Sequence, residues 1–122
     1  MMRDNVTTVS ELKEAIVELC RKKGWGDENA VQNPQHVAMA MTVEMSELLE
    51  NFQWLTPDKV QDLLDGKDPE RVQRIGEEFA DVCMYGLQLM RALNIDVSHE
   101  IERKIQIVLG RPAGVRGRDI HN

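Results

Sequence analysis

Three times along this 122-residue chain, a residue that commonly caps a helix stands directly before a proline. The three pairs are Asn33-Pro34, Thr56-Pro57 and Asp68-Pro69. Proline suits the first position of a helix because its φ is already helical and its missing N–H has no partner there. The residue before it accepts a hydrogen bond from a free N–H of the first turn. Each pair therefore predicts the start of a helix.

Two further starts complete a chain of five helices. Thr8 and Glu11 have the spacing of a capping box, and Asp96 is a cap for the last helix. Asn94, just before it, is expected as a left-handed stop. The helices are expected to end at Gly24, about Phe52, Gly66, about Leu93 and Gly110. No stretch resembles a strand, so the sequence predicts an all-α bundle of four to five helices as one domain over residues 1–110, with a flexible tail over 111–122.

Composition excludes several classes of protein. The formal charge of −6 argues against binding to nucleic-acid polymers, which usually requires a basic surface. No apolar stretch approaches the roughly 18 residues of a membrane span, and the N-terminus lacks the apolar region of a signal peptide, so a cytoplasmic protein is expected. Cys20 and Cys83 are far apart and are expected to be buried, reduced thiols.

The sequence also contains two short acidic phrases inside apolar helical stretches. Glu44 and Glu47 are three residues apart, as are Glu78 and Asp81. Residues at this spacing project from one face of a helix, so each phrase presents a pair of carboxylates. If the two helices pack side by side, the four like charges repel one another unless a divalent cation lies between them. Carboxylate oxygens favour Mg²⁺, with Mn²⁺ as a substitute.

An isolated Glu-x-x-Glu is more often an ordinary solvated helix face than a metal site. Here the surroundings favour the site, because Glu44 follows a run that is apolar nearly all round the helix, and Phe79, Val82 and Cys83 surround the second pair. The helix that carries Glu44 is therefore expected to be central in the bundle. Carboxylates in such surroundings are seldom buried without a counter-charge.

The acidic phrases and several neighbouring motifs resemble the MazG-like all-α nucleotide pyrophosphohydrolases, and within them the dCTP pyrophosphatase branch. The motifs, in chain order, are Gly24-Trp25, Asn33-Pro34-Gln35-His36, the run from Val43 to Leu48, Phe52-Gln53-Trp54, the run from Glu77 to Val82, and Tyr85. The resemblance implies Mg²⁺-dependent hydrolysis of a nucleoside triphosphate to the monophosphate and pyrophosphate. It implies that Glu44, Glu47, Glu78 and Asp81 bind the metal, and that one of them or Glu50 orients or deprotonates the attacking water.

The same resemblance implies contacts to the base or sugar from Trp25, Trp54 and Tyr85, although each could equally be a packing residue. Tyr85 lies seven residues after Glu78 and so shares its face of the helix. His36 lies eleven residues before Glu47, about 16 Å along the helix axis, which excludes it as a ligand of the same ion. It is either a nucleoside contact or a surface histidine.

Near the C-terminus the chain departs from the family pattern. Lys104 matches a lysine of the relatives, but Val108 stands where they have asparagine, and Arg111-Pro112 lacks their tyrosine. Lys104 and Arg111 are therefore candidates for substrate binding, and Lys104 could equally be an exposed helix lysine. The substrate itself could differ from that of the dCTP branch.

Two alternatives remain open on the same fold. One is a pyrophosphohydrolase of phosphoribosyl-ATP; the other is a non-catalytic helical oligomer that binds nucleotide or metal. A di-iron carboxylate bundle would need Glu-x-x-His pairs, and the three histidines form none. Helices this apolar in so short a chain are expected to associate, as a homodimer or homotetramer.

Overall fold

A computed structural model of the protein describes residues 1–112, and this part contains five α-helices and no strand. The helices are α1 (Val9–Lys23), α2 (Pro34–Glu50), α3 (Pro57–Leu64), α4 (Pro69–Ala92) and α5 (Val97–Leu109). The prediction of an all-α fold is confirmed. Of the predicted tail, residues 113–122 lie outside the described part. None of the described helices combines the length and the apolar character needed to cross a bilayer.

The predicted caps form the helix starts. Thr8 Oγ1 accepts a hydrogen bond from the Glu11 N–H, and Glu11 Oε1 accepts one from the Thr8 N–H, which is the capping box. The other four starts each have a side chain that accepts from the first turn: Asn33, Thr56, Asp68 and Asp96. These interactions satisfy N–H groups that have no partner within the helix.

The helix ends also follow local rules, with one difference. Gly24 and Asn94 adopt the left-handed conformation, with φ of 70° and 55°. α2 ends at Glu50, two residues before Phe52. The next residues form a tighter turn in which each N–H donates to the carbonyl oxygen three residues earlier: Asn51 to Leu48 and Phe52 to Leu49.

The fold is organised around α4, the longest helix. α2 packs against it most extensively, α1 and α3 contact it less, and α5 has few contacts with the rest of the described chain. The core under α1 consists of Ile16, Val17 and Cys20, with Met84 and Leu87 of α4 packed against them. Cys20 is fully buried, Cys83 is half-buried, and both are free thiols as expected.

The expectation that α2 is covered on all sides is wrong for the single chain. Val37 is buried, but Met39, Val43 and Met45 are exposed, and so is Phe79 on α4. The reason is geometric: α4 covers one face of α2, and no other described helix packs substantially against α2. An apolar surface therefore remains on the α2–α4 pair.

Gly86 of α4 lies under the side chain of Met41 on α2. A Cβ placed at Gly86 would lie 3.3 Å from Cε of Met41 on α2. At Gly76, nearly three turns earlier on α4, a Cβ would meet no atom within 4 Å. Both glycines belong to α4, but only Gly76 has space for a side chain.

Gly86→Leu should lower the free energy of unfolding by about 1–3 kcal/mol, because the new side chain would displace the Met41 side chain from its packing against α4. Gly76→Leu should be neutral or stabilising by up to about 1 kcal/mol, since it only replaces a helical glycine with a better helix former. Urea unfolding followed by circular dichroism compares the two variants. Equal effects on the free energy of unfolding would mean that the Met41 side chain does not restrict the space at Gly86.

Candidate metal centre

Three of the predicted acidic residues meet between α2 and α4. Glu44 and Glu47 of α2 and Glu78 of α4 each offer one carboxylate oxygen, and these three oxygens lie within 4.8 Å of one another. The i, i+3 spacing places the two α2 carboxylates on one face of their helix, and the packing of α4 against that face adds Glu78. Such a group of oxygens can surround a single cation.

Asp81 and Glu50 complete the acidic surroundings. The charge of Asp81 helps to raise the pKa of both Glu44 and Glu78, and that of Glu50 helps to raise the pKa of Glu78. Asp81 also lines the cavity beside the cluster, together with Glu44. All five acidic residues singled out in the sequence are therefore near one point, although their individual roles stay predictions.

The cluster contains two carboxylate oxygens without partners. Oε2 of Glu44 and Oε2 of Glu78 are shielded from solvent, and neither accepts a hydrogen bond. Buried polar atoms are nearly always paired, because removing them from water without a new partner is unfavourable. Unpaired buried oxygens on two residues of the cluster are consistent with a bound cation, which would attract both carboxylates.

The electrostatics of the cluster support this interpretation. Burial, followed by the nearby Glu47 carboxylate, raises the pKa of Glu44 above its ordinary value. Burial and the charges of Glu47 and Asp81 likewise raise the pKa of Glu78. A carboxyl group with a raised pKa favours the folded state at low pH and disfavours it once the pH rises through that pKa. Without a counter-charge, the cluster therefore destabilises the fold at neutral pH.

The donor set determines which cations fit. All its members are carboxylates, and no histidine or cysteine belongs to the cluster. Hard oxygen donors suit Mg²⁺ and Mn²⁺, which also retain water and accept phosphate oxygens as ligands. The chemistry of the residues present therefore fits the divalent cation expected from the sequence.

A cavity of about 290 Å³ adjoins the carboxylates. It is lined by Trp25, Gln32, Glu44, Asp81, Met84, Tyr85 and Gln88. Trp25 and Tyr85 were both expected from the sequence as base or sugar contacts, and the structure brings them to the same cavity as two of the predicted ligands. The volume is near the lower end of small-molecule sites, which begin at about 300 Å³.

Three lining residues escaped the sequence analysis: Gln32, Met84 and Gln88. A signal for Gln88 was present, because it follows Tyr85 by three residues and Asp81 by seven, which places all three on one stripe of α4. Gln32 had no comparable signal, since it stands in a loop before the Asn33 cap.

Four predicted substrate contacts do not line this cavity in the single chain. His36 is exposed at the start of α2, where its backbone N–H donates to Asn33 Oδ1. Trp54 follows α2 and is 85% exposed. Lys104 lines an apolar groove on α5, and Arg111 follows that helix. Their roles stay predictions.

Comparison with known proteins agrees with this geometry. The sequence profile of the MazG-like family matches residues 39–116, which include all the predicted metal ligands. The fold is similar to the crystal structure of a pyrophosphatase from Archaeoglobus fulgidus, with a TM-score of 0.68, 27% sequence identity, and coverage of 87% of this chain and 93% of that one. No curated protein matches the sequence significantly. Since the profile covers more than half of the chain, the protein belongs to the MazG-like family.

Proposed function

We propose that the protein hydrolyses a nucleoside or deoxynucleoside triphosphate to the monophosphate and pyrophosphate, with Mg²⁺ as cofactor. The observation that carries the proposal is the cluster of Glu44, Glu47 and Glu78, in which Glu44 and Glu78 each have a buried oxygen without a partner. The cluster adjoins a cavity lined by two aromatic side chains. Carboxylates alone repel a triphosphate. With a cation among them, the same site attracts it.

The comparisons support a reaction of this kind. Membership of the MazG-like family and similarity to a structure described as a pyrophosphatase both favour cleavage of a phosphoanhydride bond. The motifs that resemble the dCTP pyrophosphatase branch favour a nucleotide substrate from the cytoplasmic pool. Trp25 and Tyr85 are consistent with a base, because aromatic rings stack on any base face.

In this proposal the chain's own residues have distinct tasks. Glu44, Glu47, Glu78 and Asp81 would hold Mg²⁺ through their carboxylate oxygens. Bound Mg²⁺ neutralises phosphate charge and lowers the pKa of a coordinated water. Glu47 or Glu50 would orient the attacking water and accept its proton. The water oxygen forms a new bond to phosphorus as the anhydride bond breaks, and pyrophosphate leaves with the electron pair of that bond.

We also propose that the protein works as a homodimer or homotetramer. One side of α5 carries an exposed apolar groove lined by Ile101, Lys104, Ile105, Val108 and Leu109. Leu109 is 71% exposed and Ile101 56%. The uncovered side of the α2–α4 pair also exposes large apolar side chains, among them Met39 and Phe79. Exposed apolar patches often mark interaction sites. A second copy presents the same apolar surfaces and can cover them.

Mg²⁺ should raise the melting temperature of the wild-type protein in a concentration-dependent way, by on the order of 10 °C at a hundred times the dissociation constant. Glu78→Gln should instead melt higher than wild type without metal at pH 7, because it removes one repelling charge. The difference in melting temperature between Glu78→Gln and the wild type should become smaller as the pH falls, because the wild-type carboxyl groups then become protonated. Differential scanning calorimetry with Glu14→Gln as the control tests both statements. An equal response to Mg²⁺ in Glu78→Gln would contradict the metal site.

The purified protein should release pyrophosphate, not orthophosphate, from at least one nucleoside triphosphate, with Mg²⁺ required. Glu47→Gln and Asp81→Asn should each lower kcat/KM by about a hundredfold or more, since even residues that only orient metal ligands contribute about 10–100-fold. Glu14→Gln, the same change on an exposed part of α1, should leave the rate unchanged. Ion chromatography identifies the products. Release of orthophosphate, or no turnover of any nucleotide, would refute the proposed reaction.

Sedimentation velocity at micromolar concentration should give a dimer or tetramer. Ile105→Glu should shift the distribution toward monomer, because it places a charge in the apolar groove of α5. Gln106→Glu adds the same charge at the neighbouring position, which does not line the groove, and should leave the assembly intact. A wild-type monomer would rule out the proposed assembly.

A further inference from the structure

Two glutamine side chains are bonded to each other at the wall of the cavity. Gln32, just before the cap of α2, donates from Nε2 to Oε1 of Gln88 on α4 at 2.6 Å. Both residues line the cavity beside the carboxylates, and both are half-buried. Neither has a role in metal binding or hydrolysis as described above.

The amide pair lies at the opposite end of the cavity from the acidic cluster. Asp81, Tyr85 and Gln88 follow one stripe of α4, and the rise of the helix places Gln88 about 10 Å beyond Asp81 along the axis. Tyr85 stands between them. A nucleotide with its phosphates at the carboxylate end therefore extends its sugar past Tyr85 and its base toward the two amides.

The loop that carries Gln32 is held firmly in place. The Arg91 guanidinium, one turn beyond Gln88, donates to the carbonyl oxygens of Ala30 at 3.2 Å and Asn29 at 2.9 Å. Earlier in the loop, a Cβ at Gly26 would lie 2.8 Å from the backbone of Val31, so the loop closes on itself there. Since these contacts fix the loop without the amide pair, Gln32 need not bond to Gln88 merely to hold the chain.

The amide pair retains hydrogen-bonding groups that a base can use. One amide–amide bond consumes one donor and one acceptor, whereas each primary amide has two N–H donors and an oxygen with two lone pairs. Nε2 of Gln32 also donates to Cys20 Sγ at 3.9 Å, a weak contact that occupies its second N–H. The pair still offers the N–H groups of Gln88 as donors and the side-chain oxygen of Gln32 as an acceptor. A base edge presents the complementary arrangement, a ring nitrogen beside an amino or an oxo group.

We propose that Gln32 and Gln88 read the edge of the nucleobase and make the enzyme discriminate between bases with an amino group and bases with an oxo group at the same position. This inference rests on the proposed function, because it requires a nucleotide in the cavity. The two residues determine specificity and are separate from the hydrolytic centre. Their loss should therefore change the choice of base more than the rate of hydrolysis.

The test uses two pairs of substrates that differ only at this edge: dCTP against dUTP, and dATP against dITP. The ratio of kcat/KM within a pair measures discrimination and is insensitive to the amount of active enzyme. The wild-type protein should favour one member of at least one pair by about tenfold or more, and Gln88→Leu should bring that ratio close to one. Gln73→Leu, which removes an exposed amide on the same helix, should leave the ratio unchanged.

Gln32→Leu is a second test, and it should also bring the ratio of kcat/KM within the substrate pair closer to one. The rise in melting temperature with Mg²⁺ should persist in both variants, which shows that the fold and the acidic cluster are intact. A wild-type ratio near one, or an unchanged ratio in both folded variants, would overturn the inference while the proposed hydrolysis stands. Absence of pyrophosphate release from every substrate with the wild-type protein would overturn both.

Discussion

The packing of α2 against α4 is the interaction on which the rest of the structure depends. It brings Glu44 and Glu47 to Glu78, although the charges of these side chains oppose the contact. Apolar contacts such as Met41 against Gly86 hold the helices together despite that repulsion. The like charges therefore repel one another across the helix pair at neutral pH, and a bound cation would reduce that repulsion. If the proposed metal site is correct, metal binding and fold stability depend on the same carboxylates.

Features controlled by neighbouring residues were readable from the sequence. The capping box of Thr8 and Glu11 and the left-handed stop at Asn94 depend on interactions within a few residues, so their patterns are sufficient. The pairing of carboxylates within each helix was also predictable, because the i, i+3 spacing places both on one face. These local rules do not require knowledge of how distant parts of the chain meet. That the two acidic faces meet was only a conditional expectation, since it depends on how α2 packs against α4.

Features that join distant residues could not be predicted in this way. Gln32 and Gln88 are 56 residues apart, and neither belongs to a recognisable motif, so their hydrogen bond appears only in the folded chain. The exposure of Met39 and Val43 was misjudged for a related reason. An apolar sequence pattern predicts that a side chain is buried, but it does not show whether it is buried by the same chain or by another copy.

One helix contributes a residue to each part of the candidate site. α4 carries Glu78 and Asp81, then Tyr85, then Gln88, and finally Arg91, which anchors the opposite wall. The distances between these groups are set by the rise of a single rigid helix rather than by the packing of several. The spacing of these side chains along the helix axis is therefore fixed. If the proposed function is correct, substitutions near Gln88 would change which base is accepted without moving the carboxylates near Glu78, so base specificity could change while the hydrolytic residues stay the same.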